Sequence, residues 1–228
     1  MTGKNFPDFF EQTPKYNEID ELNEEINKLR STYPLKSEFV KQLINTGIRL
    51  YNSGDFYAAG FYFERAIKEG DEGVTAKNNL AFMIRRDEYI SETYSFLDLL
   101  QPGIDINDTF ANINMTLYYA KMGQWEIADS YIQSISQSAK DIEEAKNWWN
   151  SLSLENEPEG FLVLVFLARY KLVENSFDTV TYLEKISNSY DAVPSWIFEP
   201  ATQKISGSTH GTNQIASFKI PLLISLII

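Results

Sequence analysis

The chain has 228 residues, of which 32 are acidic and 20 are basic, so its formal net charge at pH 7 is −12. This acidity argues against nucleic acid or an anionic membrane as a partner, because both select for basic patches. The absence of cysteine excludes disulfides, thiolate metal sites and cysteine nucleophiles, and one histidine, His210, forms no metal-binding cluster. Together with the absence of phosphate-loop, HExxH and GxSxG motifs, this composition indicates a binding protein without catalytic residues, metal or cofactor.

No segment of the sequence has the pattern of a secretion signal or a membrane span. The longest apolar runs, residues 160–168 and 220–228, are shorter than the roughly 18–20 residues that cross a bilayer. The N-terminal region also lacks the apolar core of a signal peptide. We therefore expect a cytoplasmic protein with no membrane partner.

Residues 1–34 are predicted to form an N-terminal segment that ends in an amphipathic helix beginning at Tyr16. Its apolar positions recur every three or four residues, which is the spacing of one helix face. They are Ile19, Leu22, Ile26 and Leu29. Pro34 is expected to end the helix, because the residue before a proline is disfavoured in helical geometry. The apolar face requires a partner, and the next helical hairpin is the simplest one.

Residues 35–200 are predicted to be helices separated by short polar turns, since almost nothing there alternates with the period of a strand. Residues 141–152 form an additional predicted helix, and residues 160–188 a last helical pair. Residues 201–228 are predicted to be a short irregular tail, first polar and then apolar from Phe218 to Ile228. The sequence leaves open what the apolar tail packs against.

Two stretches repeat a pattern of glycine, a polar residue, an aromatic residue and, three positions later, a small residue. In the first stretch the glycine is Gly54 and the small residue is Ala59, and in the second they are Gly123 and Ala128. The two glycines are 69 positions apart, which is two units of about 34–35 residues. A middle unit without a turn glycine, with Tyr89 at its turn, is predicted between them.

This pattern resembles the tetratricopeptide repeat (TPR) family, whose units of 34 residues fold as helix–turn–helix pairs. The predicted units are residues 40–71, 74–102 and 109–138, followed by the inserted helix 141–152 and the degenerate pair 160–188. The resemblance implies an all-α, right-handed solenoid, in which the units stack because none buries its apolar face alone.

The resemblance also implies that the first helix of each unit lines a concave groove. The same position of the three units holds Asn45, Asn79 and Asn114. An asparagine amide both donates and accepts hydrogen bonds, so a ladder of three could bind the backbone of an extended peptide. Alternatively, each asparagine bonds a neighbouring helix. The predicted peptide-binding residues are Lys41, Asn45, Asn78, Asn79, Phe82, Phe110, Asn114 and Leu117.

The sequence therefore predicts a non-catalytic protein- or peptide-binding module, or scaffold, that takes an extended or amphipathic segment. A peptide-sensing regulator or a toxin-neutralising (immunity-type) partner is the alternative. It is favoured if a basic ligand complements the charge of residues 101–160, which contain ten acidic and three basic residues. An accessory subunit of an enzyme is the alternative from another class. Trp148 and Trp149 are interpreted as a packing pair or an interface, and Arg85 and Arg86 as a solvated corner. The partner's identity and the oligomeric state stay open.

Overall fold

The computed structural model describes residues 16–135, 157–173 and 178–201. In these ranges the chain folds into nine α-helices and a short 3-10 helix at Ser195–Phe198, with no strand, which confirms the all-α prediction. The helices are α1 (Tyr16–Thr32), α2 (Lys36–Asn52), α3 (Phe56–Lys68), α4 (Thr75–Arg85), α5 (Phe96–Asp105), α6 (Thr109–Lys121), α7 (Trp125–Ile135), α8 (Pro158–Arg169) and α9 (Thr179–Ser187). The predicted helix 141–152 with Trp148 and Trp149, and the tail from residue 202 with His210, lie outside the described residues.

The helices pack as consecutive neighbours. Contacts run without interruption from α1 against α2 to α6 against α7, and α8 packs against α9. The first helices of successive pairs also meet, because α4 contacts α6 and α6 contacts α8. The buried side chains form two clusters, one centred on α2 to α5 and the other on α6 to α9.

Six of the described helices end in the same backbone motif, and three of these are the first helices α2, α4 and α6. Gly54 after α2 has a φ of 86°, Gly123 after α6 has a φ of 70°, and Asp87 after α4 has a φ of 58°. Each of these residues donates its N–H to the carbonyl three positions back, and the next residue donates to the carbonyl five positions before itself. This is the Schellman motif, in which a left-handed residue supplies partners to the last helical carbonyls. Asp87 therefore forms the turn of the middle pair that glycine forms in the other two.

The second helix of the middle pair begins later than the sequence pattern suggests. Phe56 follows Gly54 by two residues, whereas Phe96, which begins α5, follows Asp87 by nine. Tyr89 stands at the turn as predicted, two positions after Asp87, and it is buried. The chain then continues as a loop to Phe96 instead of beginning a helix at this aromatic residue. Ser95 caps α5 by accepting from the N–H of Asp98. The second helix of the middle pair thus also begins with an aromatic residue, Phe96, but the loop before it is longer than in the first pair.

The predicted end of the middle unit at residue 102 is also corrected. Pro102 lies inside α5, which continues to Asp105. A proline removes the hydrogen bond that its own N–H would make, and near the end of a short helix that loss affects little of the ladder. Asn107, with a φ of 54°, then turns the chain toward α6.

The N-terminal helix packs on the first pair, as predicted. Ile26 is completely buried in the cluster shared with α2 and α3. The hydroxyl of Tyr62 donates to Glu25 at 3.1 Å, and burial together with that carboxylate raises the pKa of Tyr62 to about 12. Arg30 forms an ion pair with Glu69, and its guanidinium carbon lies 4.4 Å from the ring centre of Phe39.

Small residues let the paired helices approach closely. Ala59 on α3 and Ala128 on α7 are completely buried. A Cβ added to Gly47 would lie 2.7 Å from Cε1 of Phe63, and one added to Gly60 would lie 2.2 Å from the ring of Tyr89. Large side chains at these positions would have no room without a shift of the backbone.

The last described pair begins at Pro158 rather than at residue 160, and proline at the first helical position needs no N–H partner. Arg169 at the end of α8 fastens the segment that follows α9. Its guanidinium donates to Asp129 at 3.1 Å and to the carbonyl of Trp196 at 2.8 Å, and it stacks 4.9 Å from the Trp196 ring. The 3-10 helix is thereby held against α8.

Candidate functional site

Two adjoining cavities lie along the first helices of the pairs. The larger one, called here the α2 cavity, has a volume of about 610 Å³ and lies between α2 and the connection from α3 to α4. The smaller one, called the aromatic cavity, has a volume of about 320 Å³ and is lined mainly by α2, α4 and α6. Ile48 lines both cavities, so they form one continuous surface along α2.

Seven of the eight predicted site residues line this surface. Two are in the α2 cavity, Lys41 and Asn45. Five are in the aromatic cavity, namely Asn78, Asn79, Phe82, Phe110 and Asn114. Leu117 lines neither cavity and is completely buried in the core cluster of α6 to α9, so its predicted place on the groove wall is corrected.

The three asparagines of the predicted ladder differ in their surroundings. Asn45 is exposed and Asn79 is half-buried, and no described residue hydrogen-bonds either side chain. Asn114 is buried, and its Nδ2 donates to the backbone carbonyl of Asn78 at 3.3 Å. The alternative interpretation, a bond to a neighbouring helix, therefore describes Asn114, whereas Asn45 and Asn79 present free amides.

Two buried carbonyl oxygens beside the aromatic cavity lack partners. Asn78 donates its Nδ2 to Asp108 at 2.7 Å, and because a carboxylate only accepts, this bond fixes which amide atom is the oxygen. The bond from Asn114 to a backbone carbonyl does the same. Among the described residues, neither Asn78 Oδ1 nor Asn114 Oδ1 has a hydrogen-bond donor. A buried acceptor without a partner costs about 1–3 kcal/mol.

The Asn78 oxygen lies toward α5, since it would be 3.6 Å from a Cβ added to Gly103. Gly103 does not line the aromatic cavity. Asn114 on α6 also lines the aromatic cavity, and its oxygen is buried as well.

Aromatic rings form the wall of the smaller cavity at its α4 end. The rings of Tyr51 and Phe82 meet edge to face with their centres 5.9 Å apart. The hydroxyl of Tyr51 donates to Glu88 at 3.3 Å, and burial together with the charge of Glu88 raises the pKa of Tyr51, so the phenol remains a donor. Phe82 thus packs against the ring of Tyr51.

Arg85 and Arg86 stack on Phe82, with their guanidinium carbons 5.4 and 5.3 Å from its ring centre. Arg85 pairs with Glu159 at 2.5 Å, and Arg86 pairs with Glu157 at 2.6 Å. The side chain of Arg85 is only 5% exposed. The solvated-corner interpretation is therefore wrong, because the two arginines join the end of α4 to the start of α8.

These ion pairs shift the ionisation of their members. Burial alone would raise the pKa of the Glu159 carboxyl, but hydrogen bonds and charge from Arg85 and Arg86 outweigh it and hold that pKa below its ordinary value. Burial likewise opposes the charged form of Arg86, yet bonds to Glu157 and Glu88 raise its pKa. Glu159 and Arg86 are consequently both charged at neutral pH.

The cavities carry little net charge. No described residue that lines the aromatic cavity is acidic or basic. The α2 cavity has two residues of each sign, Lys36, Lys41, Asp71 and Glu72. The described acidic residues of the segment 101–160 line neither cavity, so the surface itself gives no preference for a basic ligand.

The predicted peptide-binding residues do not include Ile48, Tyr51 and Asn52, which line the same surface. Two of them carried a readable signal, because Ile48 and Asn52 follow Asn45 by three and seven positions and so share its helix face. Tyr51 and its bond to Glu88 depend on how two helix ends meet, which spacing along one helix does not show.

No protein-family model, curated protein or solved structure matches this chain. Within the described ranges, no group of three or more histidine, aspartate or glutamate residues could hold a metal ion. Those ranges also contain no helix with the length and apolarity that a bilayer crossing requires. The chain's function is accordingly inferred from its own residues and geometry.

Proposed function

We propose that the chain is a non-catalytic protein-binding module of the TPR type, which binds an extended peptide segment along α2, α4 and α6. The observation that carries this proposal is the gathering of seven predicted residues around two adjoining cavities. They come from the first helices of three successive pairs. The proposal includes no catalytic residue and no cofactor.

The helix arrangement supports the TPR part of the proposal. Each of the three pairs begins its second helix with an aromatic residue, Phe56, Phe96 or Trp125. The same Schellman turn follows the first helix of each pair, and first helices contact one another from α4 through α6 to α8. Stacked pairs related in this way give a solenoid whose first helices share one face.

The polar groups on this face suit a peptide backbone. The free amide of Asn79 offers two N–H donors and an oxygen acceptor. A ligand N–H that reaches Asn114 Oδ1 would supply the donor that this buried oxygen lacks. Backbone groups recur along any extended peptide, so these contacts give affinity that depends little on ligand sequence.

A library of random peptides displayed on phage tests the proposal, because it presupposes no natural partner. The affinity of an enriched peptide is then measured for the wild-type protein and for Asn79→Ala and Asn27→Ala. Asn27 is the matched control, since it is an exposed helical asparagine on α1 that lines neither cavity.

We expect Asn79→Ala to weaken binding about three- to tenfold, the value of one hydrogen bond worth about 0.5–1.5 kcal/mol, with stability nearly unchanged. Asn27→Ala should bind as the wild type does. If no peptide is enriched, or if Asn79→Ala binds every enriched peptide at wild-type affinity, the proposed groove is wrong.

A further inference from the structure

We propose that the aromatic cavity is a pocket for one large apolar side chain within an uncharged stretch of the ligand. A basic ligand, which the overall acidity of the chain suggests, does not fit this proposal. This inference rests on the proposed function, because it names the class of segment that the groove binds. Two observations support it: the apolar lining of the cavity, and the ion pairs that the neighbouring charged side chains form with one another.

The lining of the aromatic cavity is apolar and aromatic apart from its amides. Ring or hydrocarbon side chains surround its volume of about 320 Å³ on four helices. They are Ile48, Tyr51, Phe63, Phe82, Met83 and Phe110. A charged group entering such a space would lose hydration without gaining an opposite charge, which is costly. An apolar group would gain from leaving water, at roughly 25 cal/mol for each Å² of apolar surface buried.

The charged side chains at the edge of the cavity form ion pairs with one another. Arg85 pairs with Glu159, and Arg86 pairs with Glu157 at 2.6 Å and with Glu88 at 2.8 Å. Their guanidinium groups face Phe82 rather than opening as free cations. They therefore hold the ring that shapes the pocket and leave no unpaired charge to attract an ion of either sign.

The Asp108 carboxylate near this site also has hydrogen-bond partners. Asp108 accepts a hydrogen bond from the side chain of Asn78 on α4 at 2.7 Å and one from the N–H of Ala111 on α6 at 2.9 Å. Its carboxylate therefore links these two helices. Across Ile48, the α2 cavity holds Lys41 and Glu72 on exposed side chains. Charge complementarity along the surface thus assigns the apolar residue of the ligand to the aromatic cavity and its polar residues to the α2 cavity.

The test uses the full-length protein and peptides enriched from the random library. Ile48→Lys places a cation where the two cavities join, and Ile127→Lys is its matched control. The two isoleucines are 39% and 43% exposed, both are helical, and Ile127 on α7 lines neither cavity. Circular dichroism of both variants verifies that the helices remain.

We expect enriched peptides to share one large apolar residue, and its replacement by lysine to weaken binding about tenfold or more. Ile48→Lys should weaken binding similarly, whereas Ile127→Lys should not change it. Raising the salt concentration should alter affinity less than about twofold, because no charged residue lines the aromatic cavity and the charges of the α2 cavity balance at two of each sign.

Two results have separate meanings. Peptides that are basic, lose affinity in salt and still depend on Asn79 and Ile48 would overturn the apolar pocket while keeping the groove. Enriched peptides that bind Ile48→Lys and Asn79→Ala as they bind the wild type would overturn the groove itself, and with it this inference.

Discussion

Arg85 and Glu159 are 74 positions apart in the sequence and form a two-pronged ion pair, with Nη1 2.5 Å from Oε1 and Nη2 3.0 Å from Oε2. Arg85 ends α4, and Glu159 lies in the first turn of α8. The pair therefore fixes the distance between two helices that are far apart along the chain, with α5, α6 and α7 among the described helices between them. Because Arg85 also stacks on Phe82, it connects this long-range contact to the wall of the aromatic cavity.

Arg85→Met should destabilise the fold, because it leaves the Glu159 carboxylate in a partly buried site without its main partner. Removing one member of a buried pair costs about 3 kcal/mol or more. Urea unfolding measures the loss. Arg49→Met is the control, since Arg49 is exposed on α2 and has no ion pair among the described residues. Equal effects of the two changes would contradict a structural role for the Arg85 pair.

The Glu159 pair should also make stability depend on pH. Its pKa in the folded chain is held below the ordinary value of 4.5, so its contribution is complete above that value and is lost as the pH falls through the folded pKa. The stability difference between the wild type and Glu159→Gln should then be largest above pH 4.5 and shrink as the pH falls below it. Unfolding measured at several pH values tests this, and two parallel profiles would show that Glu159 does not titrate as described.

The Schellman turns that follow α2 and α4 predict opposite effects of two glycine exchanges. Gly54→Ala should cost roughly 1–2 kcal/mol, because nothing lies within 4 Å of the added Cβ and only the left-handed backbone opposes it. Asp87→Gly should instead gain about 0.5 kcal/mol, since it relieves that strain and removes an acid from a helix C-terminus. Thermal unfolding measures both, and Asp87→Asn separates charge from conformation. A loss of stability in Asp87→Gly would contradict the assigned turn.

The contact between Gly60 and Tyr89 predicts a coupled effect. Gly60→Ala should destabilise the fold by about 1–3 kcal/mol, because its Cβ would meet the tyrosine ring. In a Tyr89→Ala background the same change should cost little, since the ring is gone. A double-mutant cycle measures this coupling. Additive effects would show that Tyr89 does not cover Gly60.

The repeat pattern was readable from the sequence where glycine marked the turn. Gly54 and Gly123 identified two pairs, and both adopt the left-handed backbone of a Schellman turn. Asp87 carries no such mark, because aspartate occurs in many other conformations. The late start of α5 was equally hidden, since Tyr89 offered an aromatic residue at the expected turn and Phe96 takes that role seven positions later.

The residues that line the two cavities were predictable in part for a similar reason. A repeat of 34–35 residues places Asn45, Asn79 and Asn114 at equivalent positions, but it does not show how deeply each side chain is buried. Asn114 is buried and bonds a neighbouring helix, whereas the amide of Asn79 has no such bond. Leu117 was assigned to the wall although it points into the core. The pair of Arg85 with Glu159 joins distant segments without any shared period, so sequence spacing could not reveal it.

The most direct test of the central claim, that a peptide binds along α2, α4 and α6, is nuclear magnetic resonance of the labelled protein. A peptide enriched from the library is titrated while the side-chain amide signals of the asparagines are followed. The account predicts that the signals of Asn79 and Asn114 shift together with the methyl signals of Ile48, and that those of Asn27 and Ile127 stay in place. Shifts confined to Asn27, to Ile127 or to α9, with Asn79 and Ile48 unchanged, would contradict it.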